Sequence, residues 1–250
     1  MELDLKKLNA EFEQQSATSI IDWTYKTFAP DTIKLSTSFG AEGMVLIHLL
    51  KDRLDQPRVF TIDTGRNFQE TYDVWQEAID RYQIEIEAFG PAAADLTGLL
   101  NKQGPNLFYK SVENRKQCCH VRKVLPLARA LADAKVWISG LRRGQGEARK
   151  DIDIITWVEQ HQVFKIHPLA NWFEANVWEF VRNNNVPYNK LHDQGFPTVG
   201  CAPCTRPVRP AEGLRSGRWW WEEDEHKECG LHLEDGKLVP KKQAPNNYTI

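Results

Sequence analysis

Ile33-Lys-Leu-Ser-Thr-Ser38, then Phe39-Gly40-Ala41 and an apolar run through Met44, Ile47 and Leu50, reads as a buried strand, a tight turn and a helix. The pattern repeats downstream. Arg58-Val-Phe-Thr-Ile-Asp63 is a second strand, Thr64-Gly65 a turn, and Phe68 to Tyr82 a second helix. Ile84-Glu-Ile-Glu-Ala-Phe89 gives a third strand, Cys119 to Ala132 a helix, and Lys135-Val-Trp-Ile-Ser-Gly140 a fourth strand. Strands alternating with helices at this spacing predict an α/β fold, a mainly parallel twisted sheet with right-handed crossovers and helices on both faces. Upstream, Leu5, Leu8, Phe12, Ile20, Ile21 and Trp23 mark a helical lead-in. Downstream, Asn171 to Asn183 is an amphipathic helix, and a loop from Pro187-Tyr188 to Gly195-Phe-Pro197 follows it. The chain divides into a lead-in (1–30), a main domain (31–221) and a tail (222–250).

In such sheets ligands bind beyond the carboxyl ends of the strands, where the strand order reverses. Ser36, Thr37, Ser38 and Gly40 close the first strand and open a helix, gathering hydroxyls and free N–H groups at a helix start suited to an anion. Ile62-Asp-Thr-Gly-Arg66 closes the second strand and Gly140-Leu-Arg-Arg143 the fourth. One such turn looks no different from a plainly capped helix. Three, two of them carrying arginine, favour a nucleotide or phosphate pocket.

Composition narrows the class. The 250 residues, 41% hydrophobic and 26% charged, are ordinary for a globular protein with one large core. No apolar run approaches the roughly 20 residues a membrane span needs, and Met1-Glu-Leu-Asp-Leu lacks the basic-then-apolar pattern of a secretory signal. The expected compartment is the cytoplasm, where thiols stay reduced. A net charge of −2 argues against broad nucleic-acid binding. A homo-oligomer is left open.

Five cysteines occur as a tandem pair, Cys118-Cys119, a Cys201-Ala-Pro-Cys204 knuckle and a solitary Cys229. A knuckle aims two sulfurs at one point, and with a second pair at long range it is a common holder of zinc or of an iron–sulfur cluster. Neighbouring side chains on a helix diverge by about 100°. That strains a site for one tetrahedral ion and is easier for a cubane with separate iron corners, although zinc stays open on this ground. Unconnected buried thiols and a disulfide framework account for the knuckle less well.

Taken together, Ser36-Thr-Ser-Phe-Gly-Ala-Glu-Gly43, Asp63-Thr-Gly-Arg66, Cys118-Cys119 with Lys123, Gly140-Leu-Arg-Arg143, Gly200-Cys-Ala-Pro-Cys-Thr-Arg-Pro207, Gly217-Arg-Trp-Trp-Trp-Glu222 and Lys227-Glu-Cys-Gly-Leu-His232 resemble the assimilatory adenylyl-sulfate reductases. The resemblance runs from about residue 33 to 232. It implies a Rossmann-like fold of the adenine-nucleotide α-hydrolase type, with a modified pyrophosphatase loop at the first strand. It also implies a [4Fe-4S] cluster on Cys118, Cys119, Cys201 and Cys204, and a catalytic Cys229.

The implied reaction suits the residue chemistry. A Cys229 thiolate displaces AMP from the sulfur of adenosine 5′-phosphosulfate, and thioredoxin or glutaredoxin then releases sulfite from the S-sulfocysteine. The enzyme need not store electrons, so the cluster is not expected to be a redox relay. Fixed cations are needed near the phosphosulfate. Lys123, four residues past Cys119 on the same helical face, links the cysteines to that group. Arg149 is a further candidate, and by resemblance Arg215, Arg218 and His232 face the same group. Isolated arginines such as Arg122 and Arg209 read as solvated surface. Cys229 lies near Glu222, Glu223, Asp224 and Glu225, which raise a thiol pKa, and near His226 and Lys227, which lower it. A mobile segment that closes over substrate and opens to the reductant follows from this balance, and the chain beyond Leu233 reads as disordered. Trp219-Trp220-Trp221 cannot all face one way and read as a packed anchor before the tail.

Two points depart from the resemblance or stay open. The loop Arg142-Arg-Gly-Gln-Gly-Glu-Ala-Arg149 has Gly146 where the family usually has serine, which removes a hydroxyl contact. The four paired cysteines favour the substrate without a 3′-phosphate, but Arg66 or Arg143 could accommodate one, so use of 3′-phosphoadenylyl sulfate stays open. Two other classes remain, an ATP-dependent adenylating enzyme with structural zinc and a non-catalytic nucleotide sensor with a redox-switching cluster. The first is opposed by a loop that lacks the Ser-Gly-Gly-x-Asp-Ser form, and neither explains the Glu-Cys-Gly-Leu-His segment.

Overall fold

The first strands and helices fall where the residue pattern puts them. The computed structural model describes residues 2–223 together with short strands at 233–234, 237–238 and 248–249. A two-residue strand β1 (Glu2–Leu3) precedes helices α1 (Leu5–Phe12) and α2 (Ala17–Thr27). Each of these helices starts at a capping side chain. Asp4 accepts the Lys7 N–H at 3.0 Å and Ser16 accepts that of Ser19 at 3.0 Å. The alternating units follow as β2 (Ile33–Thr37), α3 (Ala41–Lys51), β3 (Val59–Ile62), α4 (Gln69–Tyr82), β4 (Ile86–Phe89) and α5 (Ala93–Gln103). Next come α6 (Val112–Cys119), a π-helical turn (His120–Val124), α7 (Leu125–Ala130) and β5 (Val136–Ile138). A hairpin of β6 (Ile155–Val158) and β7 (Val163–Ile166) then leads to α8 (Glu174–Asn183).

The six-stranded sheet runs β4-β3-β2-β5-β7-β6, parallel throughout except for the antiparallel edge strand β6. The chain lays down β2, β3 and β4 toward one edge, then crosses back to place β5 on the other side of β2. The reversal opens a crevice beyond the carboxyl ends of β2 and β5, where a ligand is expected.

Alternation along the strands divides the core in two. Leu35, Val59, Val136, Ile138 and Ile166 pack on one face, with α3, α4, α8 and the lead-in residues Phe12, Ile20 and Ile21. Phe60, Trp137 and Val163 point to the other face, against Leu127, Ala130 and Leu131 of α7 and its end. A separate small cluster joins Leu99, Leu107, Phe108 and Trp219 to Cys118, Cys201 and Cys204.

Some boundaries differ from the sequence reading. The long helix expected over 119–132 begins earlier, at Val112, and is interrupted by the π-helical turn. Pro126 supplies the reason, because it has no N–H to offer the carbonyl four residues back and the ladder loosens ahead of it. The β6–β7 hairpin was not anticipated. Short β-rich runs at 155–158 and 163–166 flanking a polar turn were its signal.

Two short ladders involve the tail, β1 with β10 (Tyr248–Thr249), and β8 (Leu233–Glu234) with β9 (Lys237–Leu238). Apart from these strands, the expected mobile and disordered tail lies outside the described residues. No helix of the described residues is long and apolar enough to cross a membrane.

Candidate active site

The four paired cysteines come together. Cys118 and Cys119 end helix α6, which starts at Ser111, the acceptor of the Asn114 N–H at 3.1 Å. The knuckle turns tightly, Cys204 N–H donating to Cys201 O at 2.9 Å and Thr205 Oγ1 donating to the same carbonyl at 2.9 Å. It is tied to the body by Ala202 N–H on Arg66 O (2.8 Å) and by Trp219 N–H on Cys204 O (3.1 Å). All four cysteines are buried and line one pocket, with Arg66, Arg115, Arg122, Lys123 and Arg218 around them.

This electrostatic arrangement suits a charged guest. Burial pushes the Cys204 thiol up to about 12, with Cys201 acting in the same sense and Lys123 and Arg218 opposing it. Burial likewise raises Cys118, against the pull of Arg122 and Arg66. Metal binding replaces such protons, and four thiolates would bring negative charge into a pocket lined by five basic side chains. Polar hydrogens also wait for acceptors: Arg122 Nε, Arg218 Nε and Trp219 Nε1 are buried without a hydrogen-bond partner. Among the described residues no three His, Cys, Asp or Glu side chains gather closely enough for a single metal ion. All four cysteines line one pocket, and four thiolates at one pocket are a donor set of the kind a multi-iron cluster uses. The donor set therefore fits a [4Fe-4S] cluster.

Beside this pocket lies a cleft of about 240 Å³ at the strand-order reversal. Its floor is the loop after β2. Phe39 takes a positive φ of 58°, and Gly40 opens α3. A Cβ at Gly140, beyond β5, would stand 2.9 Å from Glu42 Cβ, so glycine there lets the first turn of α3 pack against the end of β5. Trp137 Nε1 donates to Ser36 Oγ at 2.7 Å and fixes that hydroxyl at the mouth of β2. Lys123, Cys201 and Arg218 line both the cleft and the sulfur pocket. Arg218 lies flush against Gly200, and its guanidinium is 4.7 Å from the Trp219 ring centroid.

The expected substrate contacts divide. Ser36, Ser38, Gly40, Ile62, Lys123, Gly140, Arg149, Arg215 and Arg218 all line the cleft. Asp63 does not line it. Its carboxylate accepts from Gly65 N–H (2.9 Å) and Tyr72 Oη (2.9 Å), so it shapes the turn instead. Arg66 reaches the sulfur pocket, stacks on Phe108 at 5.3 Å and donates to Pro105 O. Arg143 turns away altogether, pairing with Glu13 at 2.6 Å and donating to Ile152 O, and so braces the lead-in helices. Cys229 and His232 lie outside the described residues. Arg122, taken as solvated surface, is instead buried and donates to Thr64 O at 2.6 Å. Arg209 is exposed. Of the three tryptophans Trp219 is buried and Trp220 exposed, which agrees with a packed anchor.

Comparison with known proteins decides the family. The model of the phosphoadenosine phosphosulfate reductase domain matches residues 32–207. The chain belongs to the phosphoadenosine phosphosulfate reductase family. The adenosine 5′-phosphosulfate reductase of Allochromatium vinosum is 44% identical over 202 residues, 81% of this chain and 79% of that protein. The enzyme of the same name from Salinibacter ruber is 40% identical over 237 residues, 93% and 91% of the two chains. Among solved structures, the phosphoadenylyl-sulfate (PAPS) reductase of Candida auris superposes with a TM-score of 0.70 at 26% identity, over 82% of this chain and 96% of that one. An FMN adenylyltransferase of Candida glabrata shares the fold alone, at a TM-score of 0.56 and 16% identity. As a member of this reductase family the chain is an oxidoreductase.

The reductase cleft also holds residues the sequence reading passed over. Glu42 accepts from Arg142 Nε at 2.8 Å and from Gln145 Nε2 at 3.0 Å, while Gln145 Oε1 accepts from Arg149 Nη1 at 2.6 Å. Arg142, not its neighbour Arg143, is the arginine of that strand end that faces the cleft. The signal was present in the acidic residue of Ser36-Thr-Ser-Phe-Gly-Ala-Glu-Gly43. One carboxylate at a helix start aimed at an anion pocket calls for a basic partner. His167 is a second omission, fully buried below the cleft with Nδ1 2.9 Å from Ser139 Oγ.

Proposed function

We propose that this chain reduces adenosine 5′-phosphosulfate to sulfite and AMP, with Cys229 as the nucleophile and a dithiol protein such as thioredoxin or glutaredoxin as reductant. The observation that carries the reading is the meeting of the nucleotide cleft and the four-cysteine pocket at Lys123, Cys201 and Arg218. The relatives named adenosine 5′-phosphosulfate reductase support the same substrate. Arg66 and Arg143, the two side chains considered for a 3′-phosphate, point elsewhere, which favours the unphosphorylated nucleotide.

The adenine nucleotide sits at the β2–β5 crevice, its phosphosulfate over the N-terminal end of α3 and among Lys123, Arg149, Arg215 and Arg218. These cations offset the charge that builds as a thiolate approaches an anionic sulfuryl group. The Cys229 thiolate forms an S–S bond to the sulfuryl sulfur. The S–O bond to AMP breaks, and its electron pair leaves on the AMP phosphate. A thiolate of the reductant then attacks Cys229 Sγ and expels sulfite, and the reductant's second thiol resolves the mixed disulfide, so its two thiols supply both electrons. Cys118, Cys119, Cys201 and Cys204 would hold a [4Fe-4S] cluster that supplies a fixed charge beside Lys123 and Arg218.

The test is anaerobic purification with assay of iron, sulfide and visible absorbance, then addition of adenylyl sulfate and mass analysis of Cys229. A brown protein with about four irons that gains one sulfite mass on Cys229 is the expected result. A colourless zinc protein with unmodified Cys229 would overturn the reading.

A further inference from the structure

The geometry points to Arg115 as a positioning residue that locks the tandem-cysteine helix to the Trp219–Glu222 stretch, and so holds Cys119 and the cleft cation Arg218 in one register. The inference rests on the function proposed above, because it concerns how that site is assembled.

Arg115 is the most buried arginine among the described residues, 1% exposed, in the middle of α6. Desolvation of an isolated guanidinium there is unfavourable, and three interactions offset it. Its Nε and Nη2 donate to both oxygens of Glu222 at 2.7–3.2 Å, a two-pronged pair in which both side chains are almost fully buried. Its guanidinium lies 4.6 Å from the Trp219 ring centroid. Cys119, one helical turn on, lies close enough to act on its charge, and its influence favours the charged guanidinium.

These contacts join elements distant in sequence. Glu222 and Trp219 close the body of the protein, and Trp219 N–H is fastened to the knuckle at Cys204 O. Arg218 rests on the same Trp219 ring, so a shift of that ring moves the cation shared by the sulfur pocket and the cleft. A lysine cannot replace this fork, since a single ammonium reaches one carboxylate oxygen and leaves the ring uncontacted. The role is separate from that of Lys123 and Arg218, because Arg115 does not line the cleft.

Removing Arg115 alone strands a buried carboxylate and risks misfolding. The informative variant is therefore the double substitution Arg115→Met/Glu222→Met, in which both charges are replaced by apolar chains of similar volume, with Arg115→Lys beside it. Two measurements are made on the full chain. The first is the rate of maleimide labelling of Cys119 after iron chelation. The second, in the protein as purified, is the resonance Raman spectrum in the iron–sulfur region together with kcat/KM for adenylyl sulfate.

In the double variant Cys119 is expected to label about tenfold faster and kcat/KM to fall about tenfold or more, the scale of a small misplacement of a reacting group. The Raman bands should shift although iron is retained. Arg115→Lys should behave like the double variant and not rescue it. Parent-like labelling of Cys119, or a parent-like spectrum and kcat/KM, in a folded double variant would overturn the inference. Failure of the functional reading shows elsewhere, in a parent protein that carries no iron and leaves Cys229 unmodified, while labelling of Cys119 still tests the lock.

Discussion

The sulfur pocket and the nucleotide cleft share Lys123, Cys201 and Arg218, yet they are built on opposite principles. The cleft comes from the sheet. Its hydroxyls, glycines and helix start lie at strand ends whose positions follow from parallel β–α–β order. The pocket comes from loops and from the end of one interrupted helix, joined by buried side chains and by one isolated antiparallel bridge, Thr205 with Arg218, outside the main sheet. On the function proposed here, the fold would supply the nucleotide cradle, and the local cysteines and cations would supply the chemistry. If the two are separable in this way, damage to the pocket should abolish reaction while leaving nucleotide binding largely intact.

The largest effect is expected from Cys201→Ser with Cys204→Ser. Iron and labile sulfide should be lost and reduction of adenylyl sulfate should fall by about 1000-fold or more, beyond the loss from a single electrostatic group. Titration calorimetry should still find AMP bound within a few-fold of the parent. Equal loss of AMP binding would make the two regions one unit and break the comparison. Next, Lys123→Ala should keep the iron and lower kcat/KM by about 100-fold, the usual size for one fixed donor at a developing charge. Retained kcat/KM would remove Lys123 from the shared wall.

What the sequence reveals follows the same division. The sheet, its parallel order and the glycine turns at Gly40 and Gly140 were legible because strand and helix periods are local properties. The union of Cys118-Cys119 with Cys201 and Cys204 was legible through spacing. Two kinds of feature were not. Arg142 and Arg143 are adjacent and identical, and which one enters the cleft depends on Glu42 and Glu13, placed by distant segments. Likewise Arg122 looked like surface because nothing local announces that Thr64 O will cover its guanidinium. Partners across the fold decide the direction of a long side chain, and a single sequence does not pair them.

A smaller effect is read by pH, at the buried histidine below the cleft. Burial, reinforced by Lys165, holds the folded pKa of His167 well below its ordinary value of 6.5. The unfolded chain therefore binds a proton that the folded chain refuses. Full stability is present above about pH 6.5, and this contribution declines as pH falls from there toward the depressed folded pKa, by at most about 1.4 kcal/mol per pH unit. His192, His161 and His48 are lowered by burial too and add in the same direction. Denaturant melts at pH 7 and pH 5 should show the decline, and His167→Gln should flatten part of it. An unchanged slope would mean that His167 takes up its proton in the folded state.

The smallest effect tests the sorting of the two neighbouring arginines. Arg143 and Glu13 form a half-exposed pair that braces the lead-in helices, with side chains 27% and 39% exposed. Hydrogen bonding by Arg143 is the main reason the Glu13 carboxyl is lowered. Pairs this exposed contribute about 0–1 kcal/mol, so Arg143→Ala should move the melting midpoint little and leave kcat/KM for adenylyl sulfate within twofold or so of the parent. Arg142→Ala should act differently, because its partner Glu42 also holds Gln145, and Gln145 in turn holds Arg149 in the cleft. The loss there should appear in kcat/KM at unchanged iron content. A large kinetic loss from Arg143→Ala with little from Arg142→Ala would reverse the assignment. It would also bring the 3′-phosphate question back to Arg143, since a guanidinium that swings from Glu13 into the cleft could meet a second phosphate there.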